Sequence, residues 1–128
     1  MRQPTPSATE TLGARLAVAI AGRDQEALRA LFATPVVFRA VTPRRFWDAD
    51  TAIGVTDIVL GTWFDSTKQV TDVTVVEDDV VGDVQKISYR MSVSTESGPS
   101  VIDQVAYYTE SLGRITHLRL VCSGFRPV

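Results

Sequence analysis

The chain has 128 residues, 45% of them hydrophobic and 22% charged, with a formal net charge of −2. That is one domain's worth of sequence, able to bury a core without metals or disulfides, and it lacks the basic face that nucleic acid requires. Cys122 is the single cysteine, no stretch approaches the ~18 apolar residues of a membrane span, and "MRQPTPSATE" has no apolar signal-peptide core, so a soluble cytoplasmic protein is expected.

Residues 1–6, with two prolines, predict a loose lead-in to a single domain over 7–128. Ser7 or Thr9 is positioned to cap a first helix in which Leu12, Leu16, Ala19 and Ile20 recur at helical spacing, with Gly22 as its stop. Asp24 caps a second, shorter helix whose stripe is Ala27, Leu28, Leu31 and Phe32, ended by Pro35. The period then changes to that of a strand over Val36–Val41, with a short return strand over Arg45–Asp50. Thr56 reads as the cap of a third helix that buries Val59, Leu60, Trp63 and Phe64. Four strands follow, over Val70–Glu77, Val84–Thr95, Ser100–Glu110 and Arg114–Ser123. Gly82-Asp83, Ser97-Gly98-Pro99 and Leu112-Gly113 mark the turns between them.

Helices grouped early and a strand meander late predict an α+β domain: three helices of the N-terminal half packed on a strongly curved, mixed but mainly antiparallel sheet. The runs "AIAGRDQEALRALFATPVVF", "IGVTDIVLGTWF" and "YYTESLGRITHLRL" resemble the nuclear-transport-factor-2-like superfamily of the cystatin-like fold, including its SnoaL-like polyketide cyclases. The resemblance runs from about Leu12 to Phe125 and implies a cone with an apolar pocket between helices and sheet. It also implies a homodimer across the sheet's outer face, and a fold that serves both enzymes and binding modules.

Centring one hairpin near Gly98 and the next between Leu112 and Gly113 puts Tyr89, Met91, Val93, Asp103, Val105, Tyr107, Thr116, Leu118, Leu120 and Cys122 on the inner face. The outer face then carries Ser88, Arg90, Ser92, Gln104, Tyr108, His117 and Arg119, of which Arg90, Tyr108, His117 and Arg119 are the expected dimer contacts. Expected ligand contacts are Phe38, Trp63, Tyr89, Met91, Tyr107 and Leu118, a mostly apolar set suited to a small hydrophobic molecule. Asp103 is the candidate general acid or base, because a carboxylate desolvated among apolar walls has a raised pKa; the plainer expectation is a hydrated rim residue.

The resemblance also supplies a negative test. Relatives that resemble ketosteroid isomerase place a carboxylate base on the first strand and a Tyr and an Asp at the oxyanion; the matching positions here are Ala40, Leu16 and Val105. His117, the only histidine, cannot supply the paired histidines of scytalone-dehydratase-like sites, and an epoxide-hydrolase-like Asp-Arg-Asp set is not assembled by this register, which separates Arg90 from Asp103. The expected protein therefore needs no cofactor or metal and binds a small apolar molecule. The alternative is a cofactor-free cyclase, isomerase or dehydratase acting through Asp103 on a polyketide- or steroid-like substrate, with Tyr89 and Tyr107 positioning it.

Overall fold

A computed structural model describes residues 11–128. Helix α1 (Leu12–Ala21) opens at Thr11, whose hydroxyl accepts the Ala14 N–H at 3.1 Å; Ser7 and Thr9, the predicted caps, lie outside the described residues. Leu12, Leu16, Ala17, Ala19 and Ile20 form its buried stripe. Asp24 caps α2 (Gln25–Ala30) as predicted, by accepting from Ala27 N–H at 3.0 Å. The helix stops at Ala30, five residues before Pro35, and Phe32 begins strand β1 (Phe32–Thr42).

Helix α3 (Ala52–Ile58) is capped five residues before the predicted cap. Thr51, not Thr56, accepts the first-turn amide, that of Gly54, at 2.9 Å. Thr56 instead lies buried inside the helix, and its hydroxyl donates to the Ala52 carbonyl at 2.8 Å. Both are threonines followed by apolar residues, so the cap signal alone could not separate them. The helix widens into a π-helical turn over Val59–Trp63, closed by Phe64 N–H on the Val59 carbonyl at 2.9 Å. Val59, Leu60, Trp63 and Phe64 are all buried, as the spacing predicts.

The remaining strands are β2 (Arg45–Ala49), β3 (Gln69–Val81), β4 (Val84–Thr95), β5 (Gly98–Ser111), β6 (Arg114–Cys122) and β7 (Arg126–Pro127). They form one seven-stranded sheet in the order β2-β1-β6-β5-β4-β3, with β7 paired to the start of β5. Only β1 and β6 are parallel; the other pairs are antiparallel. Irregularities in β3, β1 and β6 bend the sheet around the helices, because an extra residue in one strand turns it away from the regular ladder. The helices lie on the concave face: α1 against β3 and β4, α3 against β1 and β2. No helix among the described residues is long and apolar enough to cross a membrane.

The inner face corrects one strand of the predicted register. Ile87, Tyr89, Met91 and Val93 on β4 and Leu118, Leu120 and Cys122 on β6 point inward, as expected. On β5 the inward residues are Ile102, Gln104, Ala106 and Tyr108, while Asp103, Val105 and Tyr107 face out. Thr95 pairs with Gly98, so the β4–β5 turn is the two residues Glu96-Ser97 and not a loop centred on Gly98. The centre therefore lies between Glu96 and Ser97, which shifts each β5 partner by an odd number of residues and exchanges the strand's faces. The β5–β6 turn is Leu112-Gly113 as predicted, but the extra residue Thr116 shifts the ladder by one. The two displacements cancel, which is why β6 falls on the predicted face and β5 does not.

Candidate functional site

The concave face holds a buried polar chain. Tyr89 donates its hydroxyl to Gln104 Oε1 at 2.5 Å, and Gln104 Nε2 donates to Cys122 Sγ at 3.3 Å. Tyr89 and Gln104 are each 1% exposed, and burial drives the Tyr89 phenol far above its ordinary pKa. The Tyr89 hydroxyl and the Gln104 amide each find a partner within the chain. A second buried hydroxyl, that of Tyr108, accepts the Gly13 amide at 2.8 Å and donates to Gln85 Oε1 at 3.1 Å, tying α1 to the sheet. Tyr108 was expected on the outer face and is a core residue.

Asp103 stands on the convex side. Arg90 is its cross-strand partner and binds it through both guanidinium branches, at 2.7 and 3.1 Å; Arg126 of β7 closes on its second oxygen. These pairs, chiefly the hydrogen bonds from Arg90, outweigh desolvation and hold its pKa below the ordinary carboxylate value. The expected raised pKa is thus reversed, because the neighbours are cations and not apolar walls. A lowered folded-state pKa gives stabilisation that is complete above the unfolded value of about 3.9 and is lost as pH falls through the folded one. The pair is partly exposed, so Asp103→Asn is expected to lower stability by less than ~1 kcal/mol at pH 7. Thermal melts at descending pH should show the gap to the unsubstituted protein closing below about pH 4; a gap that persists there would exclude the carboxylate's charge as its origin.

The other candidate residues separate by depth. Phe38, Tyr89, Met91 and Leu118 are each 1% exposed or less and form the packed core. Tyr107 is 41% exposed on the convex face. Arg90, His117 and Arg119 lie on that outer face, as predicted; His117 Nδ1 is 3.2 Å from the hydroxyls of Thr109 and Thr116. Of the three positions matched to the isomerase pattern, Ala40 and Leu16 are buried inside, while Val105 points out, so Gln104 and Ala106 are the inward residues there.

Trp63 is where the candidate residues meet an opening. A cavity of about 230 Å³ lies at the wide end of the cone, walled by Trp63, Ile102, Cys122 and Phe125, with Thr42, Thr62 and Lys68 at its rim. Trp63 packs edge-on against Trp47 at 5.9 Å and tilted against Phe38 at 6.2 Å. Its indole N–H is buried and has no acceptor among the described residues. Cys122 Sγ accepts the Gly124 amide at 3.4 Å, and Gly124 at φ +76° packs under Pro43, where an added Cβ would come within 2.9 Å of the proline ring. The chain can turn here beside the β1–β2 hairpin only with glycine's freedom. A larger concavity, about 570 Å³, lies on the convex face between Val84, Tyr107, Thr109, His117 and Arg119. It is lined by residues of the outer face, whereas the smaller cavity reaches the inner-face side chains Ile102 and Cys122 and is the candidate for a small molecule.

Many solved structures superpose on this α+β cone. The chain has the nuclear-transport-factor-2-like cone fold. A candidate isomerase from Rhodopseudomonas palustris superposes with a TM-score of 0.73 at 16% identity, over 91% of this chain and 92% of that one. A hypothetical protein with a ketosteroid isomerase-like fold from Catenulispora acidiphila DSM 44928, solved in complex with trimethylamine, gives 0.73 at 19%, over 90% and 87%. A candidate SnoaL-like polyketide cyclase from Mesorhizobium loti gives 0.64 at 16%, over 91% and 98%. No protein-family model matches the sequence, and no curated protein is significantly similar to it. At such identities the nuclear-transport-factor-2-like neighbours establish the fold and leave the chemistry to the residues themselves.

Sequence reasoning missed Gln104, Phe125 and Thr42. Gln104 had a signal: it alternates with Ile102, Ala106 and Tyr108, a set at least as apolar as Val101, Asp103, Val105 and Tyr107. Phe125 and Thr42 had none, because they reach the mouth from a chain end and a hairpin that only tertiary folding brings together.

Proposed function

We propose that this protein is a binding module that holds a small, largely apolar molecule at the mouth of its cone. The observation that carries the reading is the cavity itself: a concave, aromatic-walled opening that ends on the inner-face side chains Ile102 and Cys122. Binding without proton transfer is supported by the core chemistry. Among the described residues no carboxylate, histidine or lysine is buried, and the candidate acid Asp103 faces away from the cavity in a pair with two arginines. The cyclase, isomerase or dehydratase alternative would find no carboxylate or histidine among the lining residues of this mouth, only Lys68 and Cys122.

The cavity is smaller than the ~300–1,000 Å³ of pockets for drug-sized ligands, which favours a single-ring or short-chain molecule over a four-ring steroid. A titration with benzyl alcohol, followed through the indole N–H signals of the two tryptophans, is expected to move the Trp63 signal in a saturable way. Thr62→Phe, at an exposed rim position, should weaken that response by about tenfold or more by filling the opening. An unchanged response in the variant would place binding elsewhere.

We also propose that the convex face seats a second copy of the chain. Val37, Val41, Tyr107 and Val121 are 41–54% exposed there, interleaved with Arg39, Arg90, His117 and Arg119, a mixture typical of interface patches and costly to leave in water. Sedimentation at micromolar concentration should show twice the 14.0 kDa of one chain. Val121→Lys should return the monomer, whereas a monomer in the unsubstituted protein would remove the proposal.

A further inference from the structure

We infer that the ligand of the cone mouth carries a negative charge: a small apolar carboxylate whose ring or chain enters the cavity and whose carboxylate stays at the rim between Lys68 and Arg45. This rests on the proposed pocket and adds its chemical class.

One cation lines the cavity, and a second stands next to a lining residue. Lys68 is part of the cavity wall, with its ammonium 5.4 Å over the Phe125 ring. Arg45 is the cross-strand partner of Thr42, another rim residue, and shares the inner face of β2 with Trp47 and Ala49. Its guanidinium stacks 3.6 Å above the Trp47 ring, whose own N–H donates to the Thr42 hydroxyl at 2.8 Å. Arg45 makes no ion pair among the described residues, and the one carboxylate near Lys68 is Asp65, at a loose 3.6 Å. Asp65 is itself stabilised as an anion chiefly by Thr67, whose hydroxyl and amide both donate to it. The rim therefore keeps donor capacity that its own acids do not use.

A stacked guanidinium is held in place by the ring beneath it and keeps its edge N–H groups free for a carboxylate. The half-buried Lys68 supplies a second charge-assisted hydrogen bond where water is partly excluded. The Trp63 indole N–H is a buried donor with no acceptor among the described residues, on the same wall, and an oxygen-bearing ligand offers one. A cationic ligand would meet its own sign at both side chains.

The test compares phenylacetate with its neutral isostere phenylacetamide, titrated into the full chain labelled with nitrogen-15. The two indole signals are assigned through Trp47→Phe. Phenylacetate is expected to move the Trp63 signal and to bind about tenfold or more tighter than the amide, the range of one charge-assisted hydrogen bond. The double variant R45M/K68M should lose that preference and bind phenylacetate no tighter than phenylacetamide. Equal affinities for the two compounds in the unsubstituted chain would overturn the anionic assignment and leave the apolar pocket standing. If neither compound moves the Trp63 signal, the pocket reading falls with it. A preference for phenylacetate that survives in R45M/K68M would assign the anion to other cations and overturn the rim.

Discussion

Gly13→Ala should lower the stability of the protein by about 2–4 kcal/mol, against the helix-propensity gain of about 1 kcal/mol that alanine ordinarily brings. Gly13 sits in the first turn of α1 where that helix comes closest to the sheet. A Cβ there would lie 2.8 Å from Ile87 Cβ and 2.9 Å from the Tyr108 ring and hydroxyl. Ile87 Cβ is a branch point on the backbone and cannot swing aside, and Tyr108 is held at both ends of its hydrogen bonds to the Gly13 amide and Gln85. Relief requires α1 to lift, which stretches the buried Gly13–Tyr108 bond and loosens Leu16 and Ile20, 1% and 0% exposed. Gly61 is the control: it lies exposed in the π-helical turn with nothing within 4 Å of an added Cβ. Gly61→Ala should be neutral or stabilising by about 0.4–1 kcal/mol through the unfolded state. Chemical denaturation of both variants decides the matter, and a Gly13→Ala protein as stable as Gly61→Ala would show that α1 packs less closely than described.

The second large effect concerns the polar chain in the core. Tyr89→Phe removes the donor to Gln104 Oε1, and Gln104→Leu removes the acceptor of the Tyr89 hydroxyl; each leaves a buried partner unsatisfied and should cost about 1–3 kcal/mol. The double variant Y89F/Q104L leaves neither group stranded and should cost less than the sum of the two, with a coupling of about 1 kcal/mol or more. Strict additivity in equilibrium unfolding would mean that water, not Gln104, satisfies Tyr89. The same chain bears on the proposed function, because its polar groups satisfy one another and leave the buried Trp63 N–H as the unpaired donor at the cavity.

Much of the architecture was legible in residue order. Asp24 stands directly before an apolar stripe, Gly82-Asp83 and Leu112-Gly113 supply positive φ where hairpins turn, and Val59, Leu60, Trp63 and Phe64 keep helical spacing through the π-turn. Each of these is a local constraint, acting within a few residues, and local constraints are what a sequence states directly. The early helices and late strands then follow as an α+β domain by the need of each element to bury one face.

The side on which Asp103 points was not legible in this way. The run Val101 to Tyr108 is nearly as apolar on one set of alternate positions as on the other, so periodicity does not orient it. The Glu96-Ser97 turn and the extra residue Thr116 orient it instead, through pairing with β4 and β6. They turn Asp103 toward Arg90 and Arg126 and turn Gln104 toward Tyr89, and the candidate acid becomes a surface ion pair. The mouth of the cone is likewise a product of tertiary structure: Thr42, Trp63, Ile102 and Phe125 come from four separate segments. The sequence by itself determined the elements, their order and the apolar stripes, because these depend on neighbours along the chain. Only the folded sheet decided which carboxylate is paired, which amide is buried and which side chains wall an opening, because those depend on register and on contacts between residues distant in sequence.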